Sequence, residues 1–293
     1  MNEERQRFIG GSDIAAICGL SPWKTAFQVW QEKVGESEGQ SDNDAMAYGR
    51  LMESVIRQWY SNETGRVVVV PDTKLIHPKY PFICASLDGI ADMKRIVEIK
   101  TTRSGSDWGE PGSDEIPVYY RLQVEQYMMI TKLEVADVPV SVAGSIPVIY
   151  EVEADIEIQE MIVEQAVLFW GMVQRREPPE LVGIRDVVAK FGRSSMAGLV
   201  TATQDTEMAV AKIKQIREEI DKLKSEEDAL KFLAMKEIGE KDTLTAINGS
   251  LLATWKMSRS GKKFDEASFK KDNPELYAKY LNDKPGSRKF LLK

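Results

Sequence analysis

Three acids and one lysine carry the chemistry that this sequence can support. The extended run IVEIKT (96–101) sets Glu98 and Lys100 two residues apart, so both side chains share one face of a strand while Val97 and Ile99 point to the other. Upstream, ICASLDG ends another extended run at Asp88, just before Gly89. A tight connection around 89–94 makes the two runs antiparallel neighbours and brings Asp88 towards Glu98. Further upstream, AYGRLMESVIRQWY has helical spacing, with Glu53 beside the apolar stripe of Met52, Ile56 and Tyr60. Taken singly, each has an ordinary reading: a surface charge pair, a turn aspartate, and an i,i+4 partner for Arg57.

Together they form a different object. Three carboxylates in one cleft repel one another unless a divalent cation neutralises them. Such an ion polarises a phosphoryl oxygen and acidifies its water, and a neighbouring lysine can orient that water or offset charge in the transition state. This is a constellation for cleaving phosphodiesters. The clustered acids are expected to share raised apparent pKa values without metal, with activity climbing on the alkaline side.

Composition narrows the chemistry further. The 293 residues include a single histidine, His77, and two cysteines, Cys18 and Cys84. Multi-histidine metal sites, disulfide scaffolds and four-cysteine clusters are therefore excluded. An all-carboxylate set favours a hard ion, Mg²⁺ with Mn²⁺ as a substitute. No apolar stretch approaches the ~20 residues that cross a bilayer, and the charged start MNEERQRF has no apolar region of a secretory signal behind it. A reducing cytoplasm is the expected location.

The elements that must hold these groups alternate between helical and extended patterns. Ser12 can cap a short helix at 13–18; 24–34 and 46–62 have three- and four-residue apolar spacing. Residues 65–70, 74–76, 82–93 and 95–101 read as strands. Then come a helix at 117–131, extended chain at 136–152 and a helix at 157–176. This order implies an α/β (α+β) fold with a central mixed sheet flanked by helices. The polar, Gly-rich 103–116 segment has the length of a functional lid or binding loop.

A long polar helix is expected over 203–236, with Ile213, Ile216, Ile220, Leu223 and Leu230 in a stripe that Glu227 interrupts; packing on its own domain is expected rather than a free-standing coiled coil. Asn248-Gly249 suits a type I′ hairpin turn, followed by a short helix near Pro274 and a last strand around RKFLL. Residues 1–202 hold 20 basic and 30 acidic side chains, whereas 255–293 hold 11 basic and 5 acidic. A basic end on an acidic body can bind a phosphate backbone, because local charge sets the field; it can equally be a solvated tail.

The order Gly49-x₃-Glu53, Asp88, Glu98-x-Lys100, Gln123-x₃-Tyr127 resembles the PD-(D/E)XK nuclease superfamily in its RecB-like branch, with Leu87 where the motif has proline. More narrowly, IGGSDIAAICGLSPW (9–23), IPVYYRLQVEQYMMIT (116–131) and FW…PP (169–179) are similar to YqaJ-type viral recombinases, relatives of phage lambda exonuclease. The resemblance covers about residues 1–185. It implies a nuclease core at 1–195 and an extension of helix, hairpin and basic end at 203–293.

It also implies a Mg²⁺-dependent 5′→3′ exonuclease that digests one strand of linear duplex DNA to leave 3′ tails for recombination by strand annealing. In that reading Asp88, Glu98 and the Ile99 carbonyl hold the metal, Glu53 binds it directly or through water, and Lys100 activates or positions the water. Gln123 and Tyr127 lie at the rim of the site. Arg5, with Ser12 as the matching serine and Arg7 as a substitute, binds the terminal 5′-phosphate. Partners implied are duplex DNA ends, a single-strand annealing protein and a homotrimeric ring; the setting is bacterial cytoplasm, with phage or prophage origin. The extension grips duplex DNA or docks the annealing protein, or else buttresses the fold. The alternatives are a structure-specific or restriction-like endonuclease on the same site and a catalytically silent DNA-binding module. Arg5 and Ser12 argue for an enzyme of DNA ends.

Overall fold

The computed structural model describes residues 3–37, 43–194, 198–283 and 286–293. The chain divides into two units, 1–191 and 192–293. The first opens with α1 (Glu3–Arg7), α2 (Gly11–Ile17), α3 (Ala26–Lys33) and α4 (Asp44–Thr64). Strands β1 (Val68–Val69), β2 (Leu75–Ile76), β3 (Cys84–Ala85), β4 (Gly89–Ala91), β5 (Arg95–Val97) and β6 (Lys100–Thr102) follow. Then come α5 (Val118–Thr131), β7 (Val135–Val142), β8 (Val148–Glu153), α6 (Ile156–Arg175) and α7 (Ile184–Phe191).

The sheet is mixed. β4 lies antiparallel between β1 and β5, with Gly89 opposite Val97. β5 and β6 both run parallel to β7 at one register, Val97 opposite Asp137 and Lys100 opposite Val140, and β8 closes β7 antiparallel. β5 and β6 are thus two pieces of one strand, interrupted at Glu98 and Ile99. The Glu98 N–H still donates to the Asp137 carbonyl at 3.0 Å. In this parallel register the return bond would come from the amide of residue 139, which is Pro139 and has none. The ladder therefore lapses where the candidate acid sits.

Helices cover both faces. The main core joins α2, α3, α5 and α6 to the sheet through Ile14, Phe27, Ile96, Val124, Met128 and Phe169. On the other face α4 contributes Ile56 and Tyr60 to a smaller cluster with Ala91, Val97 and Ile99. Val97 and Ile99 thus point away from the face of Glu98, as the alternation requires. Caps follow local chemistry: the Thr25 and Gln28 side chains form a capping box for α3, and Asn43 and Asp155 accept first-turn amides of α4 and α6.

Several expectations need correction. The 82–93 run is not one strand: β3 pairs with β2 in a separate ribbon, and Asp88 lies in the break before β4. The β4–β5 turn uses Asp92 and Met93, both at positive φ, without a glycine. Ser12 is not the cap of α2; Gly10 holds that position, its N–H bonded to Asp13 Oδ2 at 3.3 Å. Helices α1 and α7 were not anticipated; α1 has only five residues, whereas α7 is as long as α3. The 103–116 segment is anchored rather than free, since Tyr150 Oη donates to the Gly109 carbonyl at 2.8 Å and the Gly112 N–H to that of Ile149 at 2.9 Å.

The second unit contains α8 (Gln204–Ile238), β9 (Thr243–Thr245), β10 (Leu251–Thr254), α9 (Glu266–Asp272) and α10 (Pro274–Lys279). β9 and β10 form the expected hairpin. Its turn is not type I′: Gly249 has positive φ, but Asn248 does not. Helix α8 does not bury its stripe; Ile216 is 43% and Leu223 64% exposed, and among its described residues only Ile238 is buried. A two-stranded hairpin offers too little apolar surface to cover 35 helical residues. Residues 286–293, with the RKFLL segment, carry no strand. No helix among the described residues is long and apolar enough to cross a membrane.

Candidate active site

The register that sets Gly89 opposite Val97 also brings Asp88 beside the interrupted strand. Asp88 Oδ2 accepts the Ile99 N–H at 2.8 Å, and the Asp88 carbonyl accepts from Arg57 Nε at 2.9 Å. Arg57 is therefore spent on the Asp88 backbone rather than serving only as a helix-face partner of Glu53. Glu98, on the opposite face of its strand from Ile99, turns towards α5. Its Oε1 accepts from Lys100 Nζ and from Gln123 Nε2, both at 2.6 Å. Lys100 Nζ also donates to Gln123 Oε1 at 3.0 Å, and Gln123 Nε2 lies 2.9 Å from the Tyr127 hydroxyl. The four-residue spacing of Gln123 and Tyr127 puts both on the face of α5 turned to the sheet. Glu98 Oε2 is buried with no hydrogen-bond partner.

The electrostatics follow from burial. Glu98 is pushed up to about 8, first by desolvation and then by the charge of Asp88. Burial also raises Asp88, against the pull of Lys100, the Ile99 amide and Arg57. Glu53 is raised by partial burial and by Asp88. For Lys100, burial acts downward, but Glu98 and Asp88 prevail and its pKa rises. The lysine is thus an ammonium at neutral pH, with the Tyr120 ring 4.5 Å from Nζ.

A cavity of about 560 Å³ joins Glu53 and Lys100 to the N-terminal segment, lined by Arg5, Ser12, Glu53, Ile99, Lys100 and Tyr120 among others; Asp88 and Glu98 are not part of its wall. A smaller one of about 200 Å³ reaches from Arg5 and Ser12 to Gln123 and Tyr127. Arg7 is exposed and lines neither. The Arg5 segment is tied down through its backbone: Lys33 Nζ donates to the Arg5 carbonyl at 2.8 Å and to Asp13 Oδ2 at 2.6 Å. Burial raises Asp13, but Lys33 and Lys24 outweigh it and hold the carboxyl below its usual range. Gly11 is required beside this pair, because a Cβ there would lie 2.5 Å from Tyr127 Cε1.

Among the described residues no three His, Cys, Asp or Glu side chains are grouped tightly enough to hold an ion as they stand. The expected cluster of Glu53, Asp88 and Glu98 is thus looser than foreseen, since Glu98 Oε1 is drawn to Lys100 and Asp88 Oδ2 to the Ile99 amide. The donor chemistry still fits a hard divalent cation. The set is oxygen only, Glu98 Oε2 is an orphaned buried acceptor, and the Asp88 charge opposes ionisation of both other acids.

Sequence reasoning brought forward the acids, Lys100, Gln123, Tyr127, Arg5 and Ser12. It missed Tyr120, Trp23, and the Asp13–Lys33 pair. Trp23 and Tyr120 lie in the segments SPW and VYYR that carried the family resemblance, but nothing in their spacing announces a role. Lys33 reads as an ordinary helix-end lysine.

A family model described as the YqaJ-like viral recombinase domain matches residues 2–134. The protein YqaJ of Bacillus subtilis (strain 168) is 30% identical over 288 residues, spanning 94% of this chain and 88% of that protein. Among solved structures, the alkaline exonuclease LHK-Exo of Laribacter hongkongensis is similar at 18% identity and TM-score 0.49, over 59% of this chain and 91% of that one. A phage-related exonuclease from Haemophilus somnus 129PT is similar at 13% identity and TM-score 0.47, over 58% and 94%.

Proposed function

Because the chain belongs to the family of YqaJ-like viral recombinases, we propose that it is a metal-dependent DNA exonuclease that digests one strand of linear duplex in the 5′→3′ direction. The observation that carries this reading is the single array in which Glu98 shares one oxygen between Lys100 and Gln123, leaves the other unpaired, and neighbours Asp88.

Asp88, Glu98 and the Ile99 carbonyl would hold Mg²⁺ or Mn²⁺, with Glu53 as a further or water-mediated ligand. When bound, the ion supplies Lewis acidity and neutralises charge on the leaving oxygen. The protein's own groups do the remainder. Arg5 and Ser12, opening into the same cavity as Lys100, hold the terminal 5′-phosphate by charge-assisted hydrogen bonds. Lys100 is held by Glu98 and Gln123, and in the metal-free site Glu98 and Asp88 favour its charged form. Its ammonium orients the attacking water and offsets charge growing on the phosphoryl oxygens. Gln123 fixes the rotamer of Lys100, and Tyr127 fixes Gln123.

The product, a duplex with 3′ single-stranded tails, is what a strand-annealing protein consumes in phage-type recombination in the bacterial cytoplasm. Trp255 and Tyr280 are exposed in the second unit, and Lys270 and Lys279 stack near Tyr277 and Tyr280 at 5.2 and 5.9 Å. These cations beside aromatic faces suit a phosphate backbone or an acidic annealing partner. A homotrimeric ring is the assembly that the resemblance implies; light scattering tests it.

The deciding experiment incubates linear duplex with 5′-phosphate or 5′-hydroxyl ends, beside a closed circle, with Mg²⁺ and either wild type or Lys100→Ala. Loss of the 5′-phosphorylated linear substrate alone, abolished by the substitution, is the expected outcome. Cutting of the circle makes the protein an endonuclease. No cleavage with Mg²⁺ or Mn²⁺ leaves a binding module.

A further inference from the structure

Trp23 is out of place for an apolar side chain. It is 54% exposed, yet it stands on a short, well-tethered turn rather than a loose one. The N–H groups of Trp23 and Lys24 donate to Ser21 Oγ at 3.2 and 3.3 Å, and Arg185 Nη1 holds the Pro22 carbonyl at 2.8 Å. The indole meets Tyr119 in a T-shaped contact, centroids 4.7 Å apart at 73°, and Tyr120 at 6.0 Å and 40°. These contacts fix the ring while 54% of the residue stays exposed.

This ring belongs to the wall of the cavity that also holds Glu53, Lys100, Arg5 and Ser12. The steps are short: 6.0 Å from Trp23 to the Tyr120 ring, then 4.5 Å from that ring to Lys100 Nζ. Tyr120 is itself backed by Trp108 at 5.7 Å, which the 103–116 segment supplies and Tyr150 supports at 5.0 Å. The aromatic series thus ends at a fixed, open indole beside the reacting centre. Among the described residues Arg5 and Arg50 line the same cavity with Lys24 and Lys100, the last two paired with Glu32 at 2.9 Å and Glu98 at 2.6 Å, so the wall offers guanidinium groups to a phosphate and a π-face to a base.

We propose that Trp23 is a nucleobase-stacking residue that receives the base of the 5′-terminal nucleotide, taken out of its duplex stack, while that nucleotide's phosphate lies against Arg5 and Ser12. The inference rests on the nuclease reading above and deepens it by naming the side chain that takes the terminal base. Stacking is sequence-tolerant because every base has a π-face, and extrusion is easiest at a frayed or mismatched end. Tyr120 is a positioning residue that caps Lys100 and supports the indole.

The test measures binding in the Lys100→Ala protein, which keeps the substrate intact, without metal. Two 5′-phosphorylated duplexes are compared, one complete but with its 5′-terminal base mismatched, so that extrusion breaks no base pair in either, and one with a tetrahydrofuran abasic unit as its 5′-terminal nucleotide. The complete duplex is expected to bind roughly 10-fold tighter. With Trp23→Ala added, the two duplexes bind alike; with Trp23→Phe instead, part of the preference returns. Thermal melting checks that each variant is folded. A preference that survives Trp23→Ala, or no preference in the Lys100→Ala protein, overturns the proposal. If wild type still digests linear DNA in that case, only the stacking role falls; if it digests nothing, the nuclease reading falls with it.

Discussion

The Ile99 N–H donates to Asp88 Oδ2 at 2.8 Å, so this carboxylate completes a β-ladder as well as facing the site. β4 begins only at Gly89, and the Asp88 side chain substitutes for the backbone acceptor that a longer strand would supply. Stability and activity should therefore separate at this residue. Asp88→Asn retains an acceptor and is expected to unfold in urea within ~0.5 kcal/mol of wild type. Asp88→Ala leaves the amide open and is expected to cost about 1–3 kcal/mol. Both should lack DNA cleavage. Equal stability of the two variants would contradict the ladder role.

Glu98 gives a pH prediction with a definite sign. Its folded pKa, about 8, lies above the ordinary 4.5 because of burial and then Asp88. A carboxyl raised on folding stabilises the protein below its unfolded pKa, and that contribution is lost as pH rises towards 8. The metal-free protein should therefore lose melting temperature between pH 5 and 8, about in proportion to this shift, and Glu98→Gln should flatten that slope while abolishing cleavage. Mg²⁺ needs the ionised form, so the melting shift it produces should be larger at pH 8 than at pH 6. A Mg²⁺ shift independent of pH would remove Glu98 from the ligand set.

The Lys33–Asp13 pair is buried and anchors the Arg5 carbonyl. Lys33→Met leaves Asp13 charged and undercompensated, and is expected to destabilise by ~3–5 kcal/mol. Adding Asp13→Leu should recover most of that loss in chemical denaturation, because both charges then leave the interior. The double variant should still digest DNA but with a weaker preference for 5′-phosphate over 5′-hydroxyl ends, since Arg5 loses its tether. An undiminished preference would mean that the pair serves the fold alone.

The site was legible where periodicity governs it. Alternation set Glu98 and Lys100 on one face, and the apolar stripe of α4 set Glu53 beside the sheet. What escaped reading depends on events that have no period. Pro139, far along the chain from Glu98, decides where the ladder opens, and Asp92 with Met93 builds the β4–β5 turn without the glycine that would have signalled it. Charge logic gathers the three carboxylates around an ion, but Lys100 and Gln123 share one Glu98 oxygen and the Ile99 amide takes one of Asp88. In the second unit the stripe of α8 marks a helix correctly but says nothing about whether a partner surface exists in the same chain.

Gly11 tests how closely α2 and Lys100 are joined. A Cβ at this position would lie 2.5 Å from Tyr127 Cε1 and 2.7 Å from its hydroxyl, atoms that a rigid buried ring cannot simply swing aside. Gly11→Ala must displace Tyr127, hence Gln123, whose amide bridges Tyr127, Glu98 and Lys100. Overpacking of this kind costs about 1–3 kcal/mol. Tyr127→Leu removes the offending atoms, so the Gly11→Ala/Tyr127→Leu pair should be more stable than the sum of its single changes, by a coupling on the order of 1 kcal/mol. The rate, in contrast, should not recover, because the hydroxyl that meets Gln123 is gone. Denaturant melts and single-turnover cleavage on the four proteins of this cycle separate the two effects: additive stabilities would deny the contact, and a restored rate in the double variant would deny Tyr127 its hold on Gln123.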